Sequence, residues 1–190
     1  ITYEIMADKG TVRILEKLQK TKVVGLMSQM LFKEANTRYA LQAWNPHQDN
    51  IYVKNSSSLN NGFTTQYLTT NFFLDSANKD NGTLYVYPGS HKFGLYEAEP
   101  NISYREKDDA NPGNKILEKY LIKFNKVDCI FDKGDLLILN GNLIHGSYPN
   151  KSNKSRPLLS VSYISQGESF ISGNNARREV RTLSGVLDDK

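Results

Sequence analysis

The spacing of apolar positions along the chain changes after the first twenty residues. Across residues 11–20 the apolar side chains recur at helical intervals and Thr11 is a candidate N-cap, so a helix is predicted there. Beyond it, short apolar runs alternate with polar positions and are separated by Gly, Asn and Pro, which is typical of β-strands. Strands are predicted over residues 23–32, 67–74, 83–87, 127–131, 135–139 and 158–164.

This succession of short strands predicts a mainly β fold, a sandwich or jelly roll, with a few flanking helices. Lys133 and Gly134, between two of the strands, predict a tight hairpin. A helix is predicted over residues 115–124. Two polar stretches, residues 54–65 and 97–114, predict long loops, and the second is a candidate lid because long loops in compact domains are usually functional.

The composition favours one domain spanning residues 1–190, because 38% of the residues are hydrophobic and 23% are charged. No run of about 18 apolar residues is present, so no membrane span is predicted. The chain begins with Ile1 and lacks a signal-peptide pattern, so a truncated or disordered N-terminus is expected. Cys129 is the only cysteine, which excludes a disulfide framework and favours a cytoplasmic location.

The net charge of +4 is modest for a nucleic-acid-binding protein. Its basic residues are not interleaved with aromatic ones in the way that binds single strands, so nucleic acid is not predicted as a partner. The positive charge slightly favours an anionic small-molecule substrate. Nothing in the sequence indicates an oligomeric state.

Candidate metal ligands occur in two segments. His47 and Asp49 are two residues apart, and such residues project from the same face of an extended chain. His145 follows a strongly apolar strand, and in a jelly roll a late strand returns beside an early one. Two histidines and one carboxylate on one face of an octahedron suit Fe(II) with open coordination positions. A His-x-Asp pair alone is common, and a structural histidine bonding a strand carbonyl is the alternative.

Residues downstream of His145 are suited to binding a carboxylate. Arg156 precedes the last predicted strand, and a guanidinium can bind a carboxylate through two parallel hydrogen bonds. Ser147 can add a hydroxyl from the same strand face as His145. The alternative interpretation of Arg156 is a surface ion pair.

These segments resemble the phytanoyl-CoA dioxygenase family of 2-oxoglutarate oxygenases over residues 23–181. The resemblance implies a double-stranded β-helix of the cupin-like type, with Fe(II) bound by His47, Asp49 and His145. It also implies that Arg156 and Ser147 hold the distal carboxylate of the cosubstrate 2-oxoglutarate. The matching blocks are His47-Gln48-Asp49, Asn81-Gly82-Thr83-Leu84, Pro88-Gly89-Ser90-His91-Lys92, Gly134-Asp135 and His145-Gly146-Ser147, followed by Asn150, Ser152 and Arg156.

The reaction that the resemblance implies is hydroxylation of a small molecule by O2, with release of succinate and CO2. Because Asp49 stands where related halogenases carry a small residue, hydroxylation is expected, with desaturation and ring closure as the alternatives. The chain departs from the family in its short N-terminal region and its longer segment over residues 34–45.

Other side chains are candidates for contacts with the cosubstrate or the substrate, and the sequence does not choose among them. For His91 the favoured interpretation is a loop histidine bonding backbone, with a substrate contact as the alternative. The candidates are Gln29, Lys33, Gln42, Trp44, Asn71 and His91.

Two other function classes compete with the oxygenase. The first is a cupin-fold binding protein without oxygenase activity. The second is a Zn or Mn hydrolase or isomerase that uses the same triad. The carboxylate-binding pair Arg156 and Ser147 argues against both, because neither class needs a keto-acid site.

Overall fold

The computed structural model describes residues 2–53, 67–96, 103–105, 121–170 and 178–183, with the backbone alone at residues 52 and 103–105. The predicted loop over residues 54–65 lies outside these ranges. So does the predicted helix over residues 115–124, apart from its last four residues. Of the loop predicted over residues 97–114, the described part is Ser103–Arg105, and it forms a short strand instead.

Two helices precede the first strand, α1 (Thr2–Met6) and α2 (Lys9–Gln19). The sequence predicted only one of them, and the predicted cap was wrong. Asp8 caps α2, because its Oδ2 accepts a hydrogen bond from the Thr11 backbone N–H at 2.8 Å. Val12 of α2 is fully buried against the outer face of a sheet, where it packs with Val161. No helix among the described residues is long and apolar enough to cross a membrane.

Nine strands follow in the described part of the chain, and every pairing is antiparallel. They form two sheets, in the orders β1-β9-β3-β7 and β5-β2-β8-β4-β6. Two facing antiparallel sheets of this kind make a jelly roll, the double-stranded β-helix, so the predicted fold class is confirmed. The strands are β1 (Val23–Lys33), β2 (Gln42–His47), β3 (Tyr67–Phe73), β4 (Leu84–Val86), β5 (Ser103–Arg105), β6 (Val127–Asp128), β7 (Leu136–Asn140), β8 (His145–Ser147) and β9 (Arg156–Ser165).

The hairpin predicted at Lys133 and Gly134 is wrong. Gly134 does form a turn, with a φ of 98° that favours glycine. However, β6 before the turn pairs with β4 in one sheet, whereas β7 after it pairs with β3 in the other. The turn therefore carries the chain between the sheets, and turn residues do not specify which sheet the next strand joins.

The inner face of the β1-β9-β3-β7 sheet carries several polar side chains that concern the site. Leu158 of β9 packs with Leu84 of the opposite sheet, which identifies its face as the inner one. Arg156 and Ser160 share that face because side chains alternate along a strand. Directly opposed residues of antiparallel strands face the same way. Strand pairing therefore adds Lys33 opposite Arg156, Gln29 and Asn71 opposite Ser160, and Thr69 opposite Ser162.

Candidate metal centre

Two histidines distant in sequence meet across the β2–β8 pair. His47, the last residue of β2, is directly opposite His145, the first residue of β8. The register shifts between Trp44 and His47, so the irregularity turns both side chains towards the interior. The two imidazole ring centroids lie 4.3 Å apart.

Asp49 joins these histidines from a short turn. Asp49 is the first residue of a 3-10 turn, and the residue before it, Gln48, is extended, with φ −125° and ψ 131°. Because Gln48 is extended, His47 and Asp49 project to the same side of the chain. Asp49 Oδ1 lies 3.6 Å from His47 Nε2 and 3.9 Å from His145 Nε2. One ligand atom from each residue falls within 4.8 Å of the other two, a separation that a single metal ion can bridge.

Backbone carbonyls fix the orientation of both imidazole rings. Nδ1 of His47 lies 2.7 Å from Asn45 O, and Nδ1 of His145 lies 3.0 Å from Leu143 O. Since a carbonyl oxygen only accepts, each Nδ1 donates its hydrogen and each Nε2 presents its lone pair towards Asp49. Such hydrogen bonds behind the ligands are a usual feature of histidine metal sites.

Thr69 holds the carboxylate of Asp49 from the facing sheet. Its hydroxyl donates to Asp49 Oδ2 at 2.5 Å, leaving Oδ1 directed at the histidines. This role of Thr69 was not predicted from the sequence. Threonine is common in β-strands, and only the packing of one sheet on the other places Thr69 beside Asp49.

Amide side chains brace the two segments that carry the ligands. Gln48 Nε2 donates to Gly94 O at 2.8 Å and to Asn142 O at 2.6 Å. Asn50 Nδ2 donates to Asn142 Oδ1 at 2.7 Å. Gln48 and Asn50 flank Asp49, and Asn142 belongs to the turn before His145, so these bonds tie the ligand segments together. They too were missed in the sequence.

The electrostatics of the triad suit a divalent cation. Burial lowers the pKa of His47 to about 4, with a further contribution from His145, so this imidazole is neutral near pH 7. Burial would raise the pKa of Asp49, but the two histidines and the Thr69 hydroxyl outweigh it and the pKa is lowered. Arg178 also lowers the pKa of Asp49. It is buried, three residues before Arg181, which pairs with Gly25 of β1. The result is a carboxylate beside neutral imidazole nitrogen.

A second polar group, here termed the two-cation cluster, consists of Lys33 and Arg156 with Ser147. Arg156 is only 1% exposed, and its Nη1 makes a long hydrogen bond of 3.4 Å to Leu31 O. Its Nε has no hydrogen-bond partner in the part of the chain that the structure describes. Lys33 Nζ donates to Ser147 Oγ at 2.8 Å and to Tyr148 O. Among the described residues, no Asp or Glu lies within 4.0 Å of either cation.

Both cations of this cluster have lowered pKa values. Burial, with a smaller contribution from the positive charge of Arg156, lowers the pKa of Lys33 to about 6. Burial also lowers the pKa of Arg156, to about 10. A buried charge without a counterion is costly, so the arrangement favours an anion between or beside these groups.

Three more of the candidates predicted from the sequence lie in the same interior. Asn71 occupies the inner face, and its Nδ2 is buried without a partner in the described structure. Gln29 lies in the same row of that face. Trp44 is opposite Ser147, and its ring centroid is 6.2 Å from that of His47.

The last two candidates are Gln42, on the same strand as His47, and His91, in a turn. Gln42 is near the start of β2 and pairs with Arg105 of the edge strand β5. His91 lies in a 3-10 turn, Ser90–Phe93, and contributes no atom to the group of possible metal ligands. Its pKa is lowered, chiefly by partial burial.

Comparisons with known proteins agree with this candidate metal centre. The family model described as "Phytanoyl-CoA dioxygenase (PhyH)" matches residues 6–158. Among curated proteins, "Phytanoyl-CoA dioxygenase 1" of Oryza sativa subsp. japonica is 32% identical over 121 residues, which are 63% of this chain and 38% of that protein. The chain thus spans well under half the length of this relative.

Solved structures share the fold at low sequence identity. The epimerase SnoN in complex with Fe3+, alpha ketoglutarate and nogalamycin RO superposes with a TM-score of 0.66 at 17% identity, covering 96% of this chain and 70% of that one. EctD from S. alaskensis with 2-oxoglutarate and 5-hydroxyectoine gives a TM-score of 0.64 at 18% identity, covering 88% and 53%.

Proposed function

The chain belongs to the phytanoyl-CoA dioxygenase family, and from this premise we propose that it is a non-haem Fe(II), 2-oxoglutarate-dependent dioxygenase that hydroxylates a small molecule. The observation that carries the proposal is the coexistence of two features in one interior. One is a facial set of two histidines and one carboxylate. The other is a buried arginine without an acidic partner among the described residues.

His47, Asp49 and His145 are the residues that would hold Fe(II). Imidazole and carboxylate donors in this combination suit Fe(II) and leave coordination positions open. When bound, the iron together with O2 and 2-oxoglutarate supplies the oxidising power for C–H hydroxylation, with succinate and CO2 as co-products. Because Thr69 donates a hydrogen bond to Asp49 Oδ2, the carboxylate would offer its other oxygen, Oδ1, to the metal.

Arg156 and Ser147 would bind the distal carboxylate of 2-oxoglutarate. A guanidinium buried to 1% exposure offers fixed donors with little loss of side-chain entropy on binding. Ser147 lies two residues after His145 on β8, so the anion site and the metal site share one strand. A keto acid held by Arg156 and Ser147 would therefore be bound by the same strand that carries His145.

The substrate is proposed only as a class. One relative is named for phytanoyl-CoA, whereas EctD was solved with 5-hydroxyectoine and SnoN with nogalamycin RO. These molecules differ too much to indicate one substrate. The net charge of +4 favours an anionic small molecule, and nucleic acid is not proposed as a partner.

A single cysteine supports a cytoplasmic location. We also propose that residues 1–190 form one oxygenase domain, because both sheets contribute to one site.

The proposal predicts that Asp49→Ala abolishes succinate formation from 2-oxoglutarate. The test incubates protein, Fe(II), O2 and 2-oxoglutarate with a panel of anionic small molecules and measures succinate. Asp80→Ala, at an exposed turn position, is the matched control and should retain full turnover. Unchanged succinate formation in Asp49→Ala would contradict the proposal and favour a binding protein or a Zn or Mn enzyme.

A further inference from the structure

Lys33 crosses the protein interior from the end of β1 to the chain beyond β8. Its stem passes Gly82 so closely that a Cβ at that glycine would lie 2.8 Å from Lys33 Cδ. Its amino group ends between Ser147 Oγ and Tyr148 O. With 5% of its surface exposed, Lys33 is an enclosed lysine and not one that extends into solvent.

No described group that faces Lys33 is negatively charged. The positive charge of Arg156 is directly opposite on β9, and it is the charged neighbour that affects Lys33. Two adjacent buried cations are unfavourable unless an anion joins them. The facing groups are Arg156 of β9, the Ser147 hydroxyl of β8, the Tyr148 carbonyl, the Asn150 amide that donates to Lys33 O at 2.9 Å, and the Gly82 backbone.

We propose that Lys33 is a second cationic contact for the distal carboxylate of 2-oxoglutarate, and that binding of this cosubstrate draws one proton from solvent onto Lys33. The inference rests on the proposed function of the Arg156 site. The proton balance is simple: the neutral amine takes up one proton and becomes an ammonium as the dianion binds.

The number of hydrogen bonds that Lys33 can donate agrees with this uptake of a proton. An ammonium has three N–H donors, and Ser147 Oγ and Tyr148 O already accept two of them. The third hydrogen, present only in the protonated form, is the one that a carboxylate would accept. Because Ser147 Oγ accepts from Lys33, its own O–H can be donated to the same carboxylate.

The direction of the pH dependence follows from the burial of Lys33. Its pKa of about 6 leaves the amine mostly neutral above that pH in the absence of an anion, while Arg156, with a pKa of about 10, stays charged. A bound carboxylate stabilises the ammonium and raises the pKa of Lys33. Affinity for 2-oxoglutarate is therefore full below pH 6 and falls by up to about tenfold per pH unit above it, until the raised pKa is reached.

Calorimetry of the wild-type protein tests this without any substitution. 2-Oxoglutarate is titrated anaerobically into the Fe(II)-loaded protein at about pH 7.5, in buffers that differ in ionisation enthalpy. The expected result is uptake of close to one proton per cosubstrate bound. Clear binding with no proton uptake would overturn the role of Lys33 and leave the proposed function intact. Absence of binding in every buffer would overturn both.

A pair of variants tests whether Lys33 is the group that takes up the proton when 2-oxoglutarate binds. Lys33→Met, of similar length but uncharged, should bind without proton uptake and should lose about tenfold or more in affinity at pH 6, with a smaller loss at pH 8.5. Lys17→Met, on the exposed side of α2, removes a lysine elsewhere and should behave as wild type. Full proton uptake in folded Lys33→Met would assign the proton to another group and overturn the proposal.

Discussion

Asp49 presents one carboxylate oxygen to the two histidines while Thr69 holds the other. Each histidine is in turn fixed through Nδ1 by the carbonyl two residues before it. At the scale of single residues, every candidate ligand therefore has a partner behind it that selects its rotamer. A preformed set of this kind reduces the ordering that metal binding would otherwise require.

Replacing Thr69 tests this support. Thr69→Val keeps the shape of the side chain but removes the hydroxyl, so Asp49 loses the bond that orients it. We expect metal affinity to fall by about 10- to 100-fold. Thr69→Ser retains the hydroxyl and is the matched control. Competition between protein and a coloured chelator for Mn(II) measures the affinity, and equal affinities for the Val variant and wild type would contradict the role.

At the scale of elements, the pairing of β2 with β8 determines whether the site forms. Gly146 lies between the ligand His145 and Ser147, where the strands approach very closely. A Cβ at this glycine would lie 2.4 Å from Tyr85 Oη and 2.6 Å from Trp44 O. The second neighbour is backbone of β2 itself, so it cannot be relieved by moving a flexible side chain.

Gly146→Ala should therefore separate β2 from β8. We expect a loss of about 1–3 kcal/mol in the free energy of unfolding, typical of overpacking, together with weaker metal binding. Gly134→Ala is the control. Nothing lies within 4 Å of a Cβ there, so that variant should show only the strain of its left-handed backbone and bind metal normally. Thermal unfolding and Mn(II) titration of both variants check this, and normal metal binding by Gly146→Ala would contradict it.

The strands that carry the candidate histidine ligands were harder to predict from sequence than the long strands of the other sheet. The long strands β1, β3 and β9 are apolar on one side, and their positions were predicted to within a few residues. β2 contains Asn45 and Pro46, and β8 has only three residues, so neither carries a usable alternation. The spacing of His47 and Asp49 was enough to predict that both project from the same face of the chain. The pairing of His47 with His145 could be seen only in the fold.

At the scale of the whole molecule, the jelly roll brings the two-cation cluster and the candidate metal ligands into one interior between two sheets. The sequence indicated which residues to consider, Lys33 among them, and the sheet packing adds Thr69 and the amides around Asp49. Their roles depend on side chains that meet from opposite sheets, which no spacing along the chain encodes. The same limit explains why turn residues at Gly134 were recognised but their partner strands were not.

The most direct test of the oxygenase assignment is anaerobic titration of the folded protein with Fe(II) and 2-oxoglutarate, followed by visible absorption. Chelation of the iron by the keto acid at His47, Asp49 and His145 should produce a weak charge-transfer band that saturates at one equivalent of each. The band should be absent in Asp49→Ala and retained in Asp80→Ala. Folded wild-type protein that binds Fe(II) but develops no band with 2-oxoglutarate would contradict the account.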